Sequence, residues 1–134
     1  MSDDAAFLRA FEDCTLPATA WTHQAHVRMA WLYLTRYRPE EALGRVRAGI
    51  QTFNDSVLKK ANAYHETITQ AYVRLIHERM STNGNAEDFT SFSAHAPDLL
   101  DRTLSALLRH YRRETLFSSE ARTGIVAPDL LPLP

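Results

Sequence analysis

The sequence contains a single cysteine, Cys14, only four glycines and six prolines, and no long run of apolar residues. One cysteine cannot form an internal disulfide, which favours a reducing compartment such as the cytoplasm. The scattered glycines and prolines leave no low-complexity linker. The longest apolar stretch, near Trp31, is too short to cross a bilayer. The N-terminal residues are acidic and lead into no apolar run, so we expect no export signal.

Charge of either sign is not in excess. Fifteen Lys and Arg residues against sixteen Asp and Glu residues leave a formal net charge of −1 over 134 residues. Nucleic-acid binding needs a basic face that neutralises phosphates, so we expect no nucleic-acid partner, and we expect no membrane partner either. Hydrophobic residues make up 45% and charged residues 23% of the chain, as in ordinary soluble globular proteins. The length predicts a single domain over residues 1–134.

Apolar residues recur at helical spacing along almost the whole chain, and no segment alternates convincingly with the period of a strand. We therefore predict an all-α fold, an irregular bundle of about five main helices with short helical turns and an extended proline-rich C-terminal tail. The fourth helix is expected after a cap at Asn62, and a further long helix from Pro97 to Tyr111. Ser2 and Asn85 are expected to cap two other helices.

The six histidines are the most informative feature of the sequence. His23 and His26 form an H-x-x-H pair inside the segment WTHQAHVRMAWLYL. At about 100° per residue, positions three apart lie on the same helix face. On this helical wheel His23 aligns with Val27, and His26 lies beside Tyr33. Both imidazoles are therefore predicted to face the apolar side of their helix.

A second cluster, His65 and Glu66, stands in AYHETIT at the start of a later helix. His65 is predicted to share the buried side with Tyr72, with Thr69 near the edge of that side. Glu66 is placed at the boundary, because adjacent residues on a helix diverge by about 100°. If the two histidine-bearing helices pack with their first turns together, the imidazoles and the carboxylate converge on a pocket. We expect its wall to include Tyr33, Thr69 and Tyr72.

Convergent imidazoles and carboxylates are the ligands expected for zinc, iron, manganese or nickel. The leading hypothesis is that His23, His26 and His65 hold a divalent metal ion. An open coordination position would then support metal-assisted chemistry on a small molecule. Glu66 would be the catalytic general base, a fourth ligand or a residue that orients a ligand. The pattern differs from the His-Glu-x-x-His arrangement of helical zinc proteases.

Two other functions stay open at this point, and so does the question of whether the chain is an enzyme. In the first, the pocket holds no metal, and His23 or His65 acts as a general base oriented by Glu66 or as a hydrogen-bonding group for a small molecule. In the second, the histidines are satisfied core residues of a structural or protein-interaction domain. Such a domain could form a homo-oligomer through an apolar helix face.

Three blocks of the sequence, WTHQAHVRMAWLYL, AYHETIT and FSSEARTGIVAPDLLPLP, together resemble a group of small bacterial all-helical proteins that have no assigned activity. The resemblance covers most of the chain. It implies a bacterial, stand-alone, soluble protein, and it implies no reaction, substrate or ligand set. The H-x-x-H pair and the histidine before glutamate also resemble the metal-binding bundles of the DinB-like proteins, although the histidine spacing departs from theirs.

Overall fold

The computed structural model describes residues 3–84 and 86–134, which form eight α-helices and no strand. This confirms the predicted all-α class. Four helices have ten or more residues, rather than the predicted five or so: α1 (Asp3–Glu12), α2 (His23–Arg36), α3 (Pro39–Phe53) and α4 (Glu66–Asn83). The shorter ones are α5 (Phe89–Ala94), α6 (Ser105–Leu108), α7 (Arg113–Leu116) and α8 (Ser119–Thr123). Single 3₁₀ or π turns span Ala18–Ala20, Asn54–Leu58 and Pro97–Leu100.

Helices α2, α3 and α4 pack against one another and form the centre of the molecule. Helix α2 begins where the Thr22 hydroxyl accepts a hydrogen bond from the Ala25 amide at 3.2 Å, a typical N-cap. Helix α3 begins at Pro39, whose fixed φ and missing N–H suit the first helical turn. Only Tyr37 and Arg38 connect the two helices, which pack against each other.

Helix α4 begins at Glu66, four residues after the predicted cap at Asn62. Lys59 and Asn62 both have positive φ, 53° and 59°, a left-handed conformation that interrupts a helix. His65 is the actual N-cap, because its ring Nδ1 accepts the Ile68 amide at 3.1 Å. Residues 59–65 therefore form a loop, and His65 has a structural role at the helix start that the sequence pattern did not indicate.

The long helix predicted from Pro97 to Tyr111 is also wrong, because this segment is a 3₁₀ turn followed by the short helix α6. Leu104 separates them with a φ of 65°. Just before it, the Asp101 carboxylate accepts hydrogen bonds from the Thr103 amide and hydroxyl, at 3.0 and 2.8 Å. Such local side-chain bonds offer the backbone an alternative to the helix.

The buried side chains form one continuous cluster that includes Phe11, Phe53 and Tyr111. After α8, residues 125–134 form neither helix nor strand and pair instead with the body, for example through the Leu130 amide and the His110 carbonyl at 2.9 Å. No helix in the described part of the chain is long and apolar enough to cross a membrane. The expected caps Ser2 and Asn85 lie outside the described residues.

Candidate functional site

A cavity of about 340 Å³ lies between α2, α3 and α4. This volume is at the lower end of the range of about 300–1,000 Å³ that small-molecule sites occupy. Its wall is mostly apolar: Val27, Met29 and Ala30 from α2, Val46 and Ile50 from α3, Ala63 from the loop, and Ile68, Val73 and Ile76 from α4. Its polar members are His23, His26, Tyr64, His65, Thr69 and Tyr72.

The structure brings five of the sequence-predicted site residues to this cavity: His23, His26, His65, Thr69 and Tyr72. They line one cavity because α2 and α4 pack against each other, with the His23 ring against that of Tyr72. The contribution of α3 was not predicted. Its apolar stripe, with Val46 and Ile50, was visible in the sequence as a buried face, but no pattern connected it with the histidines.

The His23 ring is fixed by a backbone carbonyl far away in the sequence. Its Nε2 donates to the Leu99 carbonyl at 2.9 Å. The ring also meets Tyr72 edge-on, with 5.2 Å between the centroids. These contacts connect the start of α2 to the 3₁₀ turn at Pro97–Leu100 and orient the ring in the cavity wall.

The His26 ring is held in place by the residues at the start of its own helix. Its Nδ1 donates to the Thr22 carbonyl at 2.7 Å, and its ring lies 3.9 Å from that of Trp21 between centroids. Burial lowers the pKa of His26 to about 4, with a further lowering by the neighbouring His23, against the opposite effect of the Thr22 carbonyl. The ring is therefore neutral at pH 7. Because Nδ1 carries the proton, Nε2 is a hydrogen-bond acceptor.

His65 uses both of its ring nitrogens inside the fold. Nδ1 accepts the Ile68 amide, and Nε2 donates to the Leu116 carbonyl at 2.7 Å, which ties the start of α4 to α7. Burial lowers the pKa of His65, and the charge of Arg122 lowers it further. The neutral ring that these two bonds require is thus the favoured form.

Tyr72 is a residue of the cavity wall with an unusual polar atom. The residue is 7% exposed, and its hydroxyl is buried without a hydrogen-bond partner among the described residues. Burial also raises the pKa of this hydroxyl, so it is a neutral donor. A buried hydroxyl left unpaired costs about 1–3 kcal/mol. Because Tyr72 lines the cavity, a bound molecule that reaches this hydroxyl would complete its bonding.

Glu66 belongs to a neighbouring polar cavity and not to the cavity of the histidines. Its carboxylate accepts two bonds from Arg47, at 2.9 and 2.6 Å, one from the Tyr64 hydroxyl at 2.6 Å, and one from Gln70. Chiefly because of the Arg47 bonds, the pKa of Glu66 falls to about 2. None of these bonds goes to a histidine, so the predicted role of orienting an imidazole does not match the contacts.

Two further expectations meet a different arrangement. Tyr33 does not line the cavity, because its hydroxyl donates to the Glu12 carboxylate at 2.7 Å. Within residues 3–84 and 86–134 no three His, Cys, Asp or Glu side chains are placed to hold a metal ion. His65 has no ring nitrogen free to act as a ligand. The side chains as arranged therefore do not fit a three-histidine metal centre.

Comparison of the chain with protein-family models, with curated proteins and with solved structures gave no match. The resemblance to small bacterial helical proteins stays a prediction. The chemistry of the site must consequently be argued from its geometry.

Proposed function

We propose that the protein binds a small, largely apolar molecule with a neutral polar group in the cavity between α2, α3 and α4. The observation that carries this proposal is the buried, unpartnered hydroxyl of Tyr72, a residue of a mostly apolar cavity wall. Small-molecule sites combine apolar walls with a few placed polar groups. Tyr72 would donate a hydrogen bond to the bound molecule, and Nε2 of His26 would accept one.

The charge states of His26 and Glu66 do not favour acid–base catalysis by these two groups. A general base works best when its pKa is close to the working pH. The pKa of His26 is about 4 and that of Glu66 about 2, so both are weak bases at pH 7. His65 is engaged at both ring nitrogens. These groups are suited to hydrogen bonding and to structural support.

The experiment is a calorimetric titration of the full chain with octanol, repeated on Tyr72→Phe. We expect octanol to bind, and Tyr72→Phe to weaken it about two- to tenfold, the equivalent of one lost hydrogen bond. Because the substitution removes an unpaired hydroxyl, stability should stay the same or rise. Tyr33→Phe is the matched control: it breaks the bond to Glu12, so it should lower stability and leave octanol binding unchanged.

A second variant tests the location of the bound molecule. Ala30 lines the cavity and is 4% exposed, so Ala30→Leu places a larger side chain in the cavity wall and should abolish octanol binding. Ala6→Leu, on the exposed side of α1, should have no effect on binding. The proposal would be refuted if octanol failed to bind the parent protein, or if it bound Tyr72→Phe and Ala30→Leu as tightly as the parent.

Divalent metal binding by His23, His26 and His65 stays a prediction, supported by the three side chains lining one cavity. It would require His65 to give up a hydrogen bond that fixes the start of α4. Elemental analysis of untagged protein, purified without chelator and then offered zinc, iron, manganese or nickel, tests it. Near-stoichiometric metal that His23→Ala loses would favour a metal centre, and protein that stays unloaded would exclude it.

A further inference from the structure

A second cavity, of about 690 Å³, adjoins the first and has a different chemical character. It lies between the C-terminal half of α3, the loop before α4, and α8, and most of its lining is polar or charged. Ala63 and Tyr64 line both cavities. This short loop segment is therefore the partition between an apolar compartment and a polar one.

The charges around the polar cavity sum to a small positive value. Arg47, Lys60 and Arg122 line it together with Asp55 and Glu66, a formal charge of +1. Arg47 is neutralised by its bonds to Glu66. In the described ranges, Lys60 and Arg122 have no carboxylate within 4.0 Å. Two cations without a carboxylate partner thus line the same cavity as the carboxylate of Asp55.

Arg122 acts on both compartments. Its Nη1 donates to the Asn62 carbonyl at 2.9 Å, which holds the guanidinium against the loop that separates the cavities. Its charge also contributes to lowering the pKa of His65, a residue of the apolar cavity wall. A negative group on the Arg122 side of this loop would consequently lie in the positive field of the guanidinium, while its apolar remainder stayed between α2, α3 and α4.

We propose that the two cavities together bind an apolar monocarboxylate that carries a neutral polar group, such as a medium-chain hydroxy acid. Its apolar body would lie in the first cavity with the neutral group at Tyr72, and its carboxylate would lie beyond Tyr64, near Lys60 and Arg122. A single negative charge matches the formal charge of the polar cavity, whereas a cationic end would be repelled. This inference rests on the proposed function, because it identifies the class of molecule that the apolar cavity takes.

The test compares octanol, octanoate and octylamine, which share one apolar body. We expect octanoate to bind more tightly than octanol, octylamine to bind most weakly, and the advantage of octanoate to shrink as salt is added. Arg122→Gln should weaken octanoate about two- to fivefold, as loss of a partly exposed charge pair does, and leave octanol unchanged. Tyr72→Phe should do the reverse, with octanol weakened and octanoate nearly unaffected.

Two control variants separate charge from loop support. Arg122→Lys keeps the positive charge and should restore most of the octanoate affinity that Arg122→Gln loses. Arg36→Gln removes an exposed charge outside both cavities and should change neither ligand.

The outcomes distinguish the two proposals. If no octyl compound binds, the proposed function itself fails. If octanol binds but octanoate has no salt-dependent advantage, or if Arg122→Gln weakens both equally, the carboxylate inference is overturned and the apolar site survives. A hydroxyoctanoate that binds more tightly than either parent, and loses affinity in both Tyr72→Phe and Arg122→Gln, would establish the combined site.

Discussion

Replacing Glu66 with glutamine removes one charge while nearly preserving the shape of the side chain. The Glu66 side chain is 11% exposed, and it is paired with Arg47, whose side chain is 37% exposed. The carboxylate also accepts the Tyr64 hydroxyl at 2.6 Å. A glutamine oxygen can keep one or two of these bonds, but it cannot compensate the guanidinium charge. We therefore expect Glu66→Gln to lower the free energy of unfolding.

The magnitude follows from the pKa of the carboxylate. Lowering it from 4.5 to about 2 corresponds to about 3 kcal/mol at neutral pH. This is an upper value, because water reaches the Arg47 side and screens the pair. We expect a loss of about 1–3 kcal/mol at pH 7. Since the folded-state pKa of Glu66 is depressed, its contribution is complete above about pH 4.5 and disappears as the pH falls toward 2.

Urea unfolding of the parent protein and of Glu66→Gln, measured between neutral pH and about pH 3, tests this reasoning. The difference between them should fall below half of its neutral value at the acidic end. Glu41→Gln, in α3, is the matched control, because Glu41 pairs with Arg45 and both side chains are about half exposed. It should cost no more than about 0.5 kcal/mol. Equal costs for the two variants, or a difference that does not change with pH, would refute the argument.

Three further predictions concern single positions. Gly49→Ala should cost about 1–3 kcal/mol of stability, because a Cβ there would lie 2.7 Å from the buried ring of Phe11 and overpack it. Gly44→Ala, whose Cβ would have nothing within 4 Å, should instead stabilise α3 by about 0.5–1 kcal/mol. Thermal or urea unfolding of the two variants checks both signs. Thr67→Val should cost about 1–3 kcal/mol by the same measurement. The fully buried hydroxyl donates to the Gly124 carbonyl and accepts from the Val126 amide, and leaving these groups unpaired is unfavourable. A neutral effect would show that the hydroxyl does not hold the chain after α8. In an NMR titration His26 should stay neutral down to about pH 5, given its pKa of about 4, and a midpoint near 6.5 would contradict its burial.

The helical class and a break before the fourth helix could be predicted from the sequence, whereas the extent of that break and the break at 101–104 could not. Residues 59–65 and 101–104 leave the helical conformation at non-glycine residues with positive φ, such as Lys59 and Leu104. These residue types have no intrinsic preference for that conformation. Their backbone is determined by packing and by local side-chain bonds, as at Asp101, and a periodicity argument does not include either.

The convergence of the two histidine clusters could also be inferred, since a helical wheel indicates which side of a helix is buried. The hydrogen-bond partners of each histidine ring could not be inferred from the sequence. His23 and His65 donate to the carbonyls of Leu99 and Leu116, which are 76 and 51 residues away in the sequence. Backbone carbonyls have no sequence signature. The sequence pattern therefore does not distinguish a ring that binds a carbonyl from a ring that is free to bind a metal ion.

This distinction decides where chemistry can take place in the cavity. Imidazoles at helix starts are candidate metal ligands. At His65, however, the ring Nδ1 caps the helix, because the Ile68 amide needs a hydrogen-bond acceptor there. The polar capacity that remains includes the Tyr72 hydroxyl and the second ring nitrogens of His23 and His26. In the proposed site, these hydrogen-bonding groups and the mostly apolar wall would select a molecule by shape and hydrogen bonding. On the same proposal, selection by charge would come from the adjacent polar cavity, where Arg122 lies.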